Sequence, residues 1–242
     1  MKTNQQFKNA ALDALRGKWG KAVLVTLLYI IISGIAVGPS TYESLKVQEF
    51  MEQNVSSMYQ VAALAQNPDY LAMAQQANGA SGLFYLFYIL ILAPLTVGYA
   101  NAMRRVLVFD DGEILANTLH LGFHNYWHKV WGMLWMNILI TLWSLLLIIP
   151  GIIKSLSYAM TPYILEENPE LTASEAIHRS RLMMHGHKFD LFWLYLSFLG
   201  WAILCLFTLG IGYFWLMPYI QTSEAAFYEE VKADYALNGG LD

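Results

Sequence analysis

The sequence predicts an all-α fold: a polytopic membrane helical bundle of about six transmembrane helices in three repeated hairpin units, each with a cytoplasmic amphipathic helix. Of the 242 residues, 57% are hydrophobic and only 13% are charged, whereas about a quarter of an average soluble domain is charged. The apolar residues lie in blocks close to the length of about 20 residues that a membrane-spanning helix needs. A third observation is a set of local signals that recurs three times in the same order.

Six apolar segments are the predicted spans. The residues before the first one are too polar and too numerous for a cleavable signal peptide, so we expect the first span to be retained. The fourth and sixth segments are short enough to be tilted, kinked or partly interfacial. The segments are 21–38, 83–108, 130–149, 152–165, 189–209 and 213–228.

Lysine and arginine predict the orientation, because cytoplasmic flanks carry an excess of both. The loop 39–81 holds only Lys46 among several acidic residues, which places it outside. Both termini are then cytoplasmic, in a multi-pass protein of the cytoplasmic (inner) membrane. The basic residues on the cytoplasmic side are also the candidate contacts to lipid headgroups. They are Arg16, Lys18, Lys21, Arg104, Arg105, Lys129, Arg179, Arg181 and Lys188.

An amphipathic helix is predicted before each odd-numbered span, over 4–16, 111–124 and 172–185. Gly17, Asn125 and Gly186 follow these segments, and both residue types favour the left-handed conformation that ends a helix. The spacing of Asp110 to Glu113 and of Thr172 to Glu175 predicts capping pairs at two of the starts. The predicted buried faces are Phe7, Ala11, Ala14 and Leu15; Leu115, Thr118 and Leu119; and Ala173, Ala176, Ile177, Ser180 and Met184.

Each returning span carries a proline, at Pro94, Pro162 and Pro218. We therefore predict one membrane domain over 1–242 built from three units with the same orientation, as in parallel-repeat membrane folds. The alternative is that any three hairpins with interfacial lead-in helices look alike. The units are 1–110, 111–168 and 169–236.

The segment 39–81 is an insertion in the first unit. Apolar residues recur in it at helical spacing, at positions 47, 51, 55, 58, 62 and 65. This pattern predicts an amphipathic helix or short hairpin on the outer surface. Binding of a partner protein is the alternative role.

The sequence favours neither an enzyme nor a metal protein. His120, His124 and His128 share a helical face but span two turns, and no carboxylate or thiol stands at ligand spacing, so we expect a polar stripe at the headgroups. A cluster of His124 with His185 is the alternative.

Cys205 is expected to be a packing residue. No phosphate loop or nucleophile motif occurs, and a net charge of −4 does not favour nucleic acid. We expect no cofactor.

Polar groups inside spans mark functional positions, because each is costly in lipid unless it is satisfied. No acidic residue lies in the middle of a span, and we expect Asp190 and Glu224 to be solvated near span ends. This argues against an ion-coupled carrier and against an intramembrane protease. The candidate intramembrane polar or kink positions are Pro94, Ser157, Tyr158, Pro162, Tyr163, Ser197, Pro218 and Tyr219.

Several strings together resemble a known bacterial family. SRLMMHGHK at 180–188 is followed by LSFLGW at 196–201, LGIG at 209–212 and MPY at 217–219. With PGIIKS at 150–155, YAMTPY at 158–163 and ALRGKW at 14–19, these strings resemble the DUF975 family of integral membrane proteins. The resemblance covers nearly the whole chain except 39–81. It implies a membrane location and no particular activity, substrate or cofactor.

The expected function is that of a non-enzymatic membrane protein that organises or binds membrane lipids, other membrane proteins or further copies of itself. The alternative is a small-solute channel or transporter whose returning helices, kinked at their prolines, surround a pathway. A polar, continuous cavity between those helices would favour transport. A dry, packed core would favour the organising role.

Overall fold

A computed structural model describes residues 2–54 and 66–237. In these ranges the secondary structure is helical and contains no strand, so the predicted all-α class is confirmed. The helices are α1 (Asn4–Leu15), α2 (Trp19–Asn54), α3 (Pro68–Phe87), a π-helical segment (Tyr88–Leu92), α4 (Ala93–Phe109), α5 (Ile114–Phe123), α6 (Tyr126–Leu146), α7 (Ile148–Tyr158), α8 (Thr161–Glu167), α9 (Ala173–Met183), α10 (Lys188–Leu196), α11 (Leu199–Phe207) and α12 (Tyr213–Leu237).

The chain forms two compact units, one of Met1–Leu28 with Ala93–Asp242 and one of Tyr29–Leu92. In the second unit, α2 runs without a break to Asn54, so the predicted loop does not begin at 39. Side-chain pairs one turn apart, Gln48 with Glu52 and Glu49 with Gln53, stabilise this extension. Of the positions with predicted helical spacing, 47 and 51 lie in α2, and 55, 58, 62 and 65 lie outside the described residues.

The predicted helix ends are confirmed. Gly17, Asn125 and Gly186 have φ angles of 78°, 51° and 87°, in the left-handed region. Thr172 and Glu175 form a capping box at the start of α9, as predicted. A second capping box, which we did not predict, joins Thr3 and Gln6 at the start of α1.

The predicted capping pair of Asp110 with Glu113 is wrong. Asp110 itself adopts a left-handed φ of 56° and precedes the helix. The carboxylate of Asp111 instead accepts a hydrogen bond of 2.9 Å from the Glu113 backbone N–H and another of 2.9 Å from Asn117. The start of α5 is therefore stabilised by the neighbouring aspartate.

The buried face of α5 also differs from the prediction. Thr118 is buried, but Leu115 and Leu119 are exposed, and Ile114 and Leu121 are buried in their place. The cause is a close crossing with α4 at Gly98, where an added Cβ would lie against the Thr118 carbonyl oxygen. On α1 and α9 the predicted faces are buried, except that Ala14 is half-buried.

Two helical stretches within the described residues are long and apolar enough to cross a membrane, judged by length and composition: Tyr126–Leu146 and Lys188–Phe207. They contain most of the third and fifth predicted spans. Most of their side chains are not buried. The other four predicted spans stay predictions, as does the division into three repeat units.

Two predicted spans are interrupted. The fourth, 152–165, is split between α7 and α8, and the fifth is split at Ser197 and Phe198 into α10 and α11. The turn expected at Pro150 lies earlier, at Leu147, so Pro150 falls in the first turn of α7. Gly151 permits this tight hairpin, since a Cβ there would lie 2.9 Å from the Ser144 Cα atom.

The core of the first unit lies where α1, α4, α8, α9 and α12 pack together. Phe7 of α1 contacts Phe227 of α12, with ring centroids 5.5 Å apart. Tyr163 and Tyr228 are among the largest fully buried side chains. This core brings the carboxyl-terminal parts of α4, α8 and α12 together, and the candidate site lies there.

Candidate functional site

A cluster of charged residues joins the ends of α4, α8 and α12. The Arg104 guanidinium pairs with Glu167 and with Glu229. The Lys232 ammonium donates to Glu167 at 2.6 Å, and the Tyr228 hydroxyl donates to the other oxygen of that carboxylate at 2.5 Å. We call these five residues the charge cluster. Glu167 is at its centre, since three donors from two helices converge on its carboxylate.

The centre of the charge cluster is largely shielded from solvent, whereas Lys232 and Glu229 at its edge are more exposed. The side chain of Arg104 is 12% exposed and that of Glu167 is 18% exposed. Burial by itself raises the pKa of Glu167, but hydrogen bonds from Lys232 and Tyr228 and the charge of Arg104 outweigh it, so the pKa lies below its ordinary value. The carboxylate is therefore charged at neutral pH, and removing one partner would leave a poorly solvated charge.

Polar side chains continue from the charge cluster into the core. The Tyr163 ring stacks on the Tyr228 ring at 4.6 Å, and Gln221 donates to the Tyr163 hydroxyl at 2.9 Å. Asn101 donates to the Pro162 carbonyl at 3.0 Å. These hydrogen bonds connect α4, α8 and α12 within a part of the core whose other buried side chains are apolar.

Glu224 of α12 also belongs to this polar layer. Its carboxylate is hydrogen-bonded by Tyr195 of α10 and is only partly exposed. The expectation that Glu224 is solvated is therefore wrong. The sequence argument placed Glu224 near a span end, whereas α12 continues through Leu237 and places it well inside a helix.

A pocket of about 290 Å³ opens beside the charge cluster. Glu167, Arg179, Tyr228 and Lys232 line part of it. The Arg179 guanidinium donates to the Asn168 side chain at 2.9 Å, which positions it on the pocket wall. Two cations, one carboxylate and a tyrosine ring can hold a small polar group.

Most of the nine basic residues predicted to contact headgroups are paired with carboxylates. Arg179 bonds to Asn168, and Arg181 and Lys188 have no ion pair among the described residues. Lys129 is 1% exposed and is not available to a headgroup in this structure. The pairs are Arg16 with Asp13, Lys18 with Asp110, Lys21 with Glu113, Arg104 with Glu167 and Glu229, Arg105 with Asp111, and Lys129 with Glu166.

Lys129 instead acts inside the fold. Its ammonium donates to the Leu121 carbonyl and, at 2.6 Å, to the His124 carbonyl. These are carbonyls at the end of α5 that lack helical partners. Lys129 thus caps the carboxyl-terminal end of α5 and, through its ion pair with Glu166, connects this helix to α8.

The three prolines occupy different positions. Pro94 lies two residues after the π-helical segment Tyr88–Leu92, within a helical run that continues without a break into α4. Pro162 is the second residue of α8, where a missing N–H costs little. Pro218 lies inside the regular α-helix α12. The shared proline therefore does not produce the same kink in all three predicted returning spans.

The other candidate intramembrane positions fall into separate places. The Ser157 carbonyl accepts a hydrogen bond of 2.9 Å from Ser180 of α9. Tyr158, the next residue in the chain, is buried. Ser197 lies at the break between α10 and α11, where its carbonyl accepts a hydrogen bond of 2.8 Å from Lys8. Tyr219 packs its ring edge-on to Phe198, at 5.0 Å.

The predicted histidine stripe on one helix is wrong, because His120 lies in α5 and His124 directly follows its end, whereas His128 lies in the next helix, α6. The rings of His120 and His124 stack at 5.6 Å between centroids. His124 and His185 are both exposed. Among the described residues, no group of three or more histidine, cysteine, aspartate and glutamate side chains is placed to hold a metal ion.

Sequence reasoning missed Glu167, Glu229 and Lys232. One signal could have indicated two of them: Glu166-Glu167 and Glu229-Glu230 are acidic pairs at the ends of two predicted returning spans, whereas Arg104-Arg105 ends the other. Opposite charges at equivalent repeat positions would predict pairing. Lys232 carries no comparable signal.

Comparison with known proteins gives one match. A family model described as a protein of unknown function (DUF975) matches residues 86–235. No curated protein and no solved structure matches the chain. The matched region contains α4 to α12 up to Tyr235, with the whole charge cluster, and covers more than half of the sequence. The chain therefore belongs to the DUF975 family.

Proposed function

We propose that this chain is an integral membrane protein of six spans that binds and organises lipids and does not catalyse a reaction. The observation that carries the proposal is the apolar surface around the hairpin of α6 and α7 and at the end of α11. Leu145, Ile148 and Ile149 are more than 70% exposed, Phe207 is 82% exposed and Leu209 is 94% exposed. Large apolar surfaces of this kind mark contact with a membrane or a protein.

The distribution of charge supports a bilayer as that partner. The segment 130–149 contains no Asp, Glu, Lys or Arg, and 191–209 contains none either. At about 25 cal/mol per Å² of apolar surface, exposing these side chains to water would cost several kcal/mol. Hydrocarbon removes that cost, because it is as apolar as the side chains themselves.

The contacts of the helix ends support the proposed orientation. The charge cluster joins the ends of the second and sixth predicted spans to the residues after the fourth. The N-terminal helix packs near the same part of α12, through Phe7 and Phe227. An even number of spans with both termini on one side would produce these contacts.

The packing between the predicted returning helices supports lipid organisation over transport. Val97, Ala100, Met160, Ile164 and Ala225 are buried where α4, α8 and α12 meet. At this level Gln221 donates to the Tyr163 hydroxyl, and Asn101 donates to the Pro162 carbonyl. A packed core of this kind does not provide a hydrated passage, so the transporter remains the second candidate.

Arg181 and Lys188, together with Arg16, whose one ion pair is local and exposed, carry the proposed preference for anionic headgroups. Arg181 is exposed and Lys188 is partly exposed, without an ion pair among the described residues. The Arg16 side chain is 84% exposed, and its single ion pair is with the exposed Asp13. A cation that a carboxylate from another segment already neutralises is attracted less strongly to an anionic headgroup. We expect such cations to contribute little to lipid binding.

The first test is fractionation of membranes with alkaline carbonate. We expect the protein to stay in the membrane pellet. Release into the supernatant would overturn the membrane proposal.

The second test is the lipid composition of polymer-bounded membrane discs that contain the protein. We expect anionic lipid to be enriched. The triple variant Arg16→Gln, Arg181→Gln and Lys188→Gln should remove that enrichment. The matched control is Lys18→Gln, Lys21→Gln and Arg105→Gln, which removes the same charge from positions whose ion pairs join separate segments of the chain and should preserve the enrichment. Equal loss in both variants would reject the assignment of the headgroup contacts.

Solute exchange by the protein in sealed liposomes would favour the transporter.

A further inference from the structure

An apolar groove of about 470 Å³ lies between the N-terminal helix and the hairpin of α11 and α12. Leu12 and Trp19 line one side of it, and Trp201, Leu204 and Trp215 line the other. Its volume falls in the range of about 300–1,000 Å³ that is typical of small-molecule sites. Its lining is almost entirely hydrocarbon and indole, so it suits an apolar occupant.

The shape of the groove follows from the hairpin. Near the turn, α11 and α12 are in close contact, because a Cβ on Gly212 would lie 2.7 Å from the Cys205 sulfur. Toward α1, the regular α-helix is interrupted at Ser197 and Phe198, between α10 and α11. The groove is therefore closed at one end by a tight helix contact and bounded at the other end by α1.

The α1 side of the groove carries two cations, of which Arg16 also forms an exposed ion pair with Asp13 at 3.3 Å. Lys8, Leu12 and Arg16 follow one another at intervals of four residues, which places them on one side of the helix and its cap. The Lys8 ammonium lies 4.2 Å from the centroid of the Phe198 ring. Arg16 is directed to solvent, with 84% of its side chain exposed.

We propose that this groove binds one acyl chain of an anionic phospholipid, with the phosphate at Arg16. The inference rests on the membrane location in the proposed function and adds a specific lipid site to it. The apolar body with a basic end matches the polarity of this lipid: hydrocarbon at one end and a negative charge at the other. The exposed Phe207 and Leu209 continue the apolar surface from α11 toward the turn.

Native mass spectrometry of the full chain, titrated with phosphatidylglycerol, tests the groove. Leu204→Trp fills it from α11. Ile203→Trp is the matched control, because the two neighbouring side chains have similar exposure, 56% and 48%, and only Leu204 lines the groove. We expect Leu204→Trp to weaken retention of the first lipid about tenfold, a difference of about 1.4 kcal/mol, and Ile203→Trp to leave it unchanged.

Leu12→Trp fills the same groove from α1 and provides an independent variant if Leu204→Trp fails to fold. Equal retention by a folded groove variant and by Ile203→Trp would overturn the acyl-chain site. Because membrane fractionation is measured separately, a protein that stays in the membrane pellet while showing equal retention would reject the groove alone.

The headgroup assignment has its own measurement. Replacing Arg16 by Gln should reduce the preference for phosphatidylglycerol over phosphatidylcholine while leaving phosphatidylcholine retention unchanged. Retention of glycerol phosphate without acyl chains would show that the anion alone is recognised, and this would reject an acyl-chain site. Unchanged headgroup preference would reject the role of Arg16.

Discussion

The Lys8 ammonium donates a hydrogen bond of 2.8 Å to the Ser197 carbonyl, 189 positions away in the chain. Ser197 is the residue at which α10 ends, so its carbonyl lacks a regular helical partner. The Phe198 ring lies against the same ammonium. The Lys8 side chain of the N-terminal helix thus provides a hydrogen bond to the carbonyl at the interruption of the long apolar segment 189–209.

Replacing Lys8 by Met should destabilise the folded protein. The variant keeps the apolar stem but removes the donor, so the Ser197 carbonyl is left without it. Loss of a hydrogen bond from a charged donor predicts a decrease of about 2 kcal/mol in the free energy of unfolding. Lys2→Met is the control, because Lys2 forms an exposed ion pair with Glu230 at 3.1 Å. Thermal unfolding in detergent, followed by tryptophan fluorescence, measures both; equal changes would contradict the proposed contact.

The charge cluster should be sensitive to loss of its central cation. Arg104→Ala leaves Glu167 and Glu229 close together without their shared partner. Breaking a buried ion pair by removing one side predicts a loss of about 3–5 kcal/mol. Arg16→Ala removes an exposed pair with Asp13 and should cost less than about 1 kcal/mol. A small effect of Arg104→Ala in the same unfolding assay would show that solvent enters the cluster.

The contribution of Glu167 to stability should depend on pH. Its pKa is lowered in the folded state, because bonds from Lys232 and Tyr228 and the charge of Arg104 outweigh the effect of burial. A depressed carboxyl pKa adds stability above the unfolded value of about 4.3, and this stability is lost as the pH falls through the folded pKa.

We therefore expect Glu167→Gln to destabilise the protein most at neutral pH. The difference from the unmodified protein should shrink as the pH falls from about 4.3 through the folded pKa, below which both side chains are neutral. Glu170→Gln, at an exposed position, should show no such trend. A difference for Glu167→Gln that stays constant with pH would indicate lost packing and not lost charge.

The crossing of α4 and α5 should not tolerate a methyl group. Gly98→Ala would place a Cβ against Thr118 and within 2.7 Å of the Gly122 nitrogen. The helices would have to separate, and overpacking of this kind costs about 1–3 kcal/mol. Gly20→Ala, also in a helix but with open space around it, should instead be neutral or stabilising by up to about 1 kcal/mol. Opposite signs for the two substitutions in one unfolding assay would confirm the close approach, whereas a stabilising Gly98→Ala would contradict it.

Several local features were predictable because few neighbouring residues control them. The left-handed ends at Gly17, Asn125 and Gly186 depend on the conformational preference of one residue each. The capping box of Thr172 and Glu175 depends on two residues three positions apart. The cap on α5 was mispredicted because its carboxylate, Asp111, is also paired with Arg105.

The candidate site was not predictable in the same way. Arg104 and Glu229 are 125 positions apart, and the charged pairs at the predicted span ends indicate an interaction only if the repeat units are assumed. Considered singly, each basic residue at a span end satisfies the rule for a headgroup contact. The positions of Asp110, Asp111, Glu113, Glu166 and Glu167 decide which of them are already neutralised.

By itself, the sequence determined the helical class, the helix-ending residues, and the third and fifth apolar segments, because composition and short-range backbone preferences control these features. The tertiary structure decided which face of α5 is buried, where the long apolar segments break, and which cations remain unpaired. These depend on contacts between distant positions, such as Gly98 with Thr118 and Lys8 with Ser197. Packing selects one arrangement from several that the local sequence permits.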